Sequence, residues 1–148
     1  MQIEELTSEE FKNLRETIKS VIIPVGSIEA HGPHLPLGTD LFTIYEISKR
    51  LVKEIKIFLS PPIYFGLCRS TRDLPGTITI RGETLKNLLL DLLESFYQQG
   101  LRNFVILSGH AGGTHNAYLI DTAEAFLEKY GDARFFVADI IKLLKEIL

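Results

Sequence analysis

Four histidines occur in the chain, in two short stretches: His31 with His34, and His110 with His115. In Glu29-Ala30-His31, side chains two apart on an extended backbone point the same way, so a carboxylate and an imidazole can face one point. Asp40 follows at the end of the same loop. Mixed nitrogen and oxygen donors suit zinc, manganese or ferrous iron better than calcium or magnesium, which prefer oxygen alone. Asp40 is also a candidate to bridge two metals about 3.5–4 Å apart, the arrangement that activates water and polarises a carbonyl. Plainer roles exist for each group. Asp40 could serve only as a helix cap, Glu29 as a solvated carboxylate, and His31 and His110 as hydrogen-bonded loop histidines. His34 and His115 read as outer-sphere, substrate-facing or structural groups more readily than as ligands.

These residues need a frame that brings distant loops together. The spacing of Phe11, Leu14 and Ile18 predicts a helix over 8–19, with Ser8 as its N-cap. A β-branched run ending in glycine predicts a strand over 21–26, where Pro24 argues for an edge or a bulge. Residues 27–40 read as loop, and Ile44, Ile47, Leu51 and Val52 mark a helix over 41–55 capped by Thr39 or Asp40. A strand at 56–59 leads into a long loop rich in proline, glycine and charge over 60–75, and then an alternating arm over 77–80. Long ordered loops in compact domains tend to be functional. Further on, the pattern predicts a helix over 83–99 stopped by Gly100, a strand over 103–107, a helix over 114–129, a strand over 134–138 and a helix over 139–148. Strands alternating with helices imply right-handed crossovers, hence a three-layer α/β fold with a mostly parallel sheet and helices on both faces. The carboxyl ends of such strands form a crevice, and each histidine pair lies just past a strand.

With 148 residues, 45% of them hydrophobic, the chain can bury one sizeable core and reads as a single metal-binding domain over 1–148. A net charge of −3, with 16 basic and 19 acidic residues interspersed, offers no positive field for nucleic acid or an anionic membrane. The lone Cys68 excludes an internal disulfide framework, and the acidic start of the chain does not resemble a secretory leader, so a cytoplasmic location is expected. No apolar run is long enough to span a membrane.

The motifs that carry most information are longer. Gly26-Ser27-Ile28-Glu29-Ala30-His31-Gly32-Pro33-His34-Leu35-Pro36-Leu37-Gly38-Thr39-Asp40 resembles the E-x-H-G-x-H-L-P-L-x-T-D signature of the creatininase (creatinine amidohydrolase) family. Residues 108–116, Ser-Gly-His-Ala-Gly-Gly-Thr-His-Asn, are similar to that family's second, G-H-containing loop, and Leu74-Pro75-Gly76-Thr77 to its P-G-T segment. The resemblance implies a parallel α/β scaffold and a dinuclear metal site that hydrolyses non-peptide C–N bonds of small molecules such as cyclic amides, lactams and formamides, in homo-oligomers that are commonly hexamers. It further implies that Glu29, Asp40 and His110 hold one metal, zinc, manganese or iron, and that His31 with the shared Asp40 holds the other. Catalysis would then rest on water activated by the metal, with no side chain assigned as proton donor. Two departures stand out. Gly112 occupies the place where creatininase itself carries a ligating glutamate, which takes a ligand from the second metal, and the family's later H-A-G-x-x-E-T-S segment is not in these 148 residues. The expectation is therefore a domain lacking the C-terminal part of the family pattern.

Arg69 and Arg72 in the long loop are candidates to grip an anionic substrate group, such as a phosphate, through bidentate contacts. Cys68 beside them reads as a buried structural thiol, since no base is positioned to make it a nucleophile. Two readings compete with the hydrolase: a phosphate- or nucleotide-binding module built on the glycine-rich loop over 108–113, and a non-catalytic or incomplete subunit completed by a partner chain. The first lacks both G-x-G-x-x-G and a P-loop lysine.

Overall fold

The computed structural model describes residues 1–147, with side chains through Lys145. Four strands, β1 (Ser20–Val25), β2 (Phe58–Leu59), β3 (Asn103–Ser108) and β4 (Arg134–Asp139), form one sheet in the order β2-β1-β3-β4, and every pairing is parallel. Helices α1 (Ser8–Leu14), α3 (Gly82–Gln98) and α4 (Gly113–Lys129) cover one face, and α2 (Thr39–Glu54) and α5 (Ile140–Ile147) the other. The fold is the three-layer α/β arrangement that the alternation of strands and helices implies.

Side-chain alternation on β1 feeds both layers. Val21, Ile23 and Val25 join the larger apolar cluster with Leu85, Leu89 and Leu93 of α3 and Leu119 and Phe126 of α4, while Ile22 packs with Ile44 of α2. A strand buried on both faces reads as a continuous apolar run, which explains the lack of polar alternation in its sequence.

Several boundaries differ from expectation for identifiable reasons. Pro24 lies on a central strand, not at an edge or bulge. The peptide groups of Ile22, Pro24 and Gly26 face the β2 side, where Ile22 O receives Ser60 N–H and Pro24 O receives Ile63 N–H. The N–H that proline lacks would point to a place where β2 has already ended, so no bond to β3 is lost. Thr7, not Ser8, caps α1 in a reciprocal box with Glu10, and the helix ends at Leu14 because the chain must turn to enter β1. The arm over 77–80 forms only an isolated antiparallel bridge, Ile28 with Ile78. β2 is two residues long, and its outer edge is closed when Leu59 N–H donates to Met1 O at 2.8 Å. Gly100, at φ +93°, ends α3 as anticipated. The expected last helix begins at Ile140, and Leu148 lies outside the described residues.

Leu85, Leu89 and Leu93, one turn apart and fully buried, tie α3 to the sheet. Leu89→Ala is expected to lower unfolding free energy by about 2–5 kcal/mol in chemical denaturation. A loss below about 1 kcal/mol would show that this stripe does not hold the layer.

Candidate metal centre

The ends of β1 and β3 point into one cleft of about 490 Å³, lined among others by Glu29, His31, Asp40, Ser70, His110 and Ile140. β1 delivers the loop carrying Ser27, Glu29 and His31, three residues in phase. β3 delivers Gly109 and His110, and the first turn of α2 delivers Asp40.

The expected capping role of Thr39 or Asp40 is not seen. Gly38 occupies the cap position of α2, Thr39 Oγ1 donates back to Pro36 O, and the Asp40 carboxylate turns into the cleft. There its Oδ1 lies 3.0 Å from His31 Nε2 and its Oδ2 lies 3.0 Å from His110 Nδ1. Glu29 Oε2 is 2.7 Å from that same His110 nitrogen. Glu29, Asp40 and His110 are each buried, with 7%, 8% and 6% of their surface exposed.

The far nitrogen of each ring faces a backbone carbonyl. His31 Nδ1 lies 3.0 Å from Glu29 O, and His110 Nε2 lies 3.2 Å from Leu67 O. A neutral imidazole has one N–H, and the carbonyl requires it, so the near nitrogen presents a lone pair to carboxylate oxygens. That arrangement is repulsive unless a cation lies between, either a proton on the ring or a metal ion. Histidines that ligate metals use this pattern, with the outer N–H fixed on a carbonyl or carboxylate.

The charges respond accordingly. For His31, the hydrogen bond to Glu29 O, with Asp40 and Glu29 nearby, outweighs partial burial and raises the pKa above 6.5. Burial opposes the charge on His110, but Asp40 and Glu29 overcome it and raise that pKa too. Burial alone would push Asp40 up, yet the hydrogen bonds from His110 and Ser27 hold it below 3.8.

Neighbouring hydroxyls orient the carboxylates. Ser27 Oγ donates to Asp40 Oδ2 at 2.7 Å, and Thr71 Oγ1 donates to Glu29 Oε1 at 2.7 Å, leaving Oε2 to the shared point. Neither was among the sequence candidates. Ser27 was detectable as the residue two before Glu29, whereas Thr71 comes from the aperiodic long loop.

The other candidates lie apart. His34 is exposed on the loop, and Arg69 and Arg72 are exposed and absent from the cleft lining, with Arg69 reaching Thr114 at 3.4 Å and Arg72 pairing with Asp73 at 3.5 Å. His115 is buried behind His110, with ring centroids 4.9 Å apart. Burial, then the charge of His110, pushes its pKa down to about 3, and its Nδ1 accepts the Leu67 N–H at 3.1 Å.

Two glycines set the packing. A Cβ on Gly109 would collide with the Asp40 carbonyl oxygen, so β3 approaches α2 closely only with glycine there. A Cβ on Gly112 would meet His110 Nε2 at 2.5 Å, so the ring occupies space a larger side chain would need. Among the described residues, His31 and Asp40 are thus left without a carboxylate from position 112.

Gly109→Ala is expected to displace Asp40 and weaken zinc binding by at least about 10-fold, the lower end of the cost of losing an outer-sphere support. Unchanged affinity by competition titration would show that the contact is slack. Stability of the metal-free protein should also depend on pH. The raised His31 and His110 contribute fully below 6.5 and lose that contribution as pH rises through their folded values, while Asp40 contributes above 3.8 and loses it as pH falls through its lower folded value. His115, whose folded pKa falls to about 3, opposes them by costing stability as pH drops below 6.5, so the alkaline side isolates the pair: the melting temperature of chelated protein should fall as pH rises from 6.5 through the folded values of His31 and His110, and added zinc should restore it. A melting temperature that stays constant from 6.5 to well above it would contradict this charge balance.

Sequence and structure comparisons place the fold among known proteins. The Creatininase (creatinine amidohydrolase) family pattern matches residues 4–146. The chain is 31% identical over 103 residues to a 3-dehydro-scyllo-inosose hydrolase of Thermotoga maritima, covering 67% of this chain and 33% of that protein. It is 30% identical over 126 residues to a mycofactocin precursor peptide peptidase of Mycolicibacterium smegmatis, covering 81% and 49%. A mutant creatininase in its Zn-Zn form superposes with a TM-score of 0.90 at 21% identity, over 97% of this chain and 59% of that one. A manganese form of creatininase superposes at 0.85 and 22% identity, over 93% and 57%. The chain thus spans between a third and a half of the length of these curated relatives. No helix among the described residues is long and apolar enough to cross a membrane. With the family pattern spanning nearly its whole length and the fold shared, the chain belongs to the creatininase family.

Proposed function

We propose that this chain carries the metal-binding half of a hydrolase of C–N bonds in small molecules, namely cyclic amides, lactams or formamides. The observation that carries this reading is the pair of histidines whose outer nitrogens are committed to carbonyls while their inner nitrogens face buried carboxylates. Glu29, Asp40 and His110 would hold one divalent ion, zinc, manganese or iron, and His31 with Asp40 would hold a second, weaker one. When bound, such ions acidify water and polarise a carbonyl.

The chain's own residues prepare the site for that chemistry. Thr71 and Ser27 hold the carboxylates in register, and Ile140 and Ile141 give the cleft an apolar side. A space of about 490 Å³ suits a small ligand. Peptide substrates belong in the same test, because one relative is named a peptidase. The phosphate-binding reading is disfavoured by the two carboxylates that line the cleft beside the glycine-rich loop. Assembly into a homo-oligomer belongs to the same proposal.

A panel of lactams, formamides and short peptide amides tests the reading. Turnover of at least one member should vanish on chelation, return with zinc or manganese, and fall by about 100-fold or more in Asp40→Asn, beyond what losing an outer-sphere partner costs. Hydrolysis that survives chelation and Asp40→Asn would overturn it.

A further inference from the structure

Cys68 is 1% exposed, yet it belongs to neither apolar cluster. Its surroundings are the polar site itself. A carboxylate oxygen of Glu29, a ring nitrogen of His110 and the Cys68 thiol lie within 4.8 Å of one another, all three residues buried. Donor atoms around a tetrahedral zinc lie roughly 3.3–3.6 Å apart, given bonds of 2.0–2.3 Å, so a small contraction would bring all three to one ion.

The turn that presents the thiol is held on every side. Leu67 N–H donates to His115 Nδ1 at 3.1 Å, Leu67 O faces His110 Nε2 at 3.2 Å, and Cys68 N–H donates to Thr79 Oγ1 at 2.9 Å. With Nδ1 accepting, His115 carries its proton on Nε2, which is buried without a partner among the described residues. A buried imidazole leaving one N–H unsatisfied is costly. What the ring gains is the placement of the residue next to Cys68.

Resting on the hydrolase reading above, we infer that Cys68 is a sulfur ligand to the metal held by Glu29 and His110, so that this chain binds its first ion through a mixed sulfur, nitrogen and oxygen set. Metal binding would replace the S–H bond with a sulfur–metal bond, the proton leaving to solvent, as coordinated thiols lose theirs outright. Such a set favours zinc or cobalt over manganese.

X-ray absorption of the zinc-loaded chain and the near-ultraviolet spectrum of the cobalt(II)-loaded chain test this directly. Wild type should show a zinc–sulfur distance of about 2.3 Å and a sulfur-to-cobalt charge-transfer band. Cys68→Ser and Cys68→Ala, checked for folding by circular dichroism, should lose both signals, and the alanine variant should bind zinc at least about 10-fold more weakly. Metal bound through nitrogen and oxygen alone in wild type would overturn the sulfur ligand and leave the hydrolase proposal standing. No metal in wild type would overturn both.

Discussion

Two carboxylates share one imidazole nitrogen at the mouth of the sheet, and much of the structure around the cleft serves to keep them there. Glu29 Oε2 and Asp40 Oδ2 lie 2.7 and 3.0 Å from His110 Nδ1, all three side chains largely buried at the floor of the cleft. Buried like charges are tolerated only with compensating positive charge. Protons on His110 and His31 can provide it, and a divalent ion can provide it without them. The close approach at Gly109, the hydroxyls of Ser27 and Thr71 and the carbonyls behind each imidazole all hold this one requirement in place.

The fold answers it through topology. Parallel strands end on the same side, so the loop after β1 (26–38) and the short turn after β3 (109–112) meet without either having to reach far. β1 and β3 are the two central strands, and their last three residues, 23–25 and 106–108, are all buried.

Much of this was legible in the sequence because it follows from period and adjacency. Glu29 and His31 are two apart on extended backbone, His110 follows a strand, and the alternation of strands with helices implies the parallel sheet. Asp40 was visible, but its role was divided between cap and ligand, since both roles place an acid at a helix start; the side-chain direction that decides between them depends on where His110 arrives. Pro24 misled because the rule against proline in central strands assumes neighbours on both sides, and β2 ends too early to supply one. Thr71 and Cys68 come from a loop without periodicity, so nothing in the sequence ties them to Glu29.

The relatives show how widely one scaffold can be used, since their names include an inosose hydrolase, a peptidase and a creatinine amidohydrolase. What the account requires of this chain is narrower: that the carboxylate and imidazole cluster exists to hold a divalent ion. Elemental mass spectrometry of untagged protein, wild type beside His31→Ala and Asp40→Asn, measures that directly. The account predicts at least one transition metal per chain in wild type, with content falling in Asp40→Asn and any second equivalent lost in His31→Ala. Wild type purified from metal-replete medium without a transition metal, or variants that retain the full content, would contradict it.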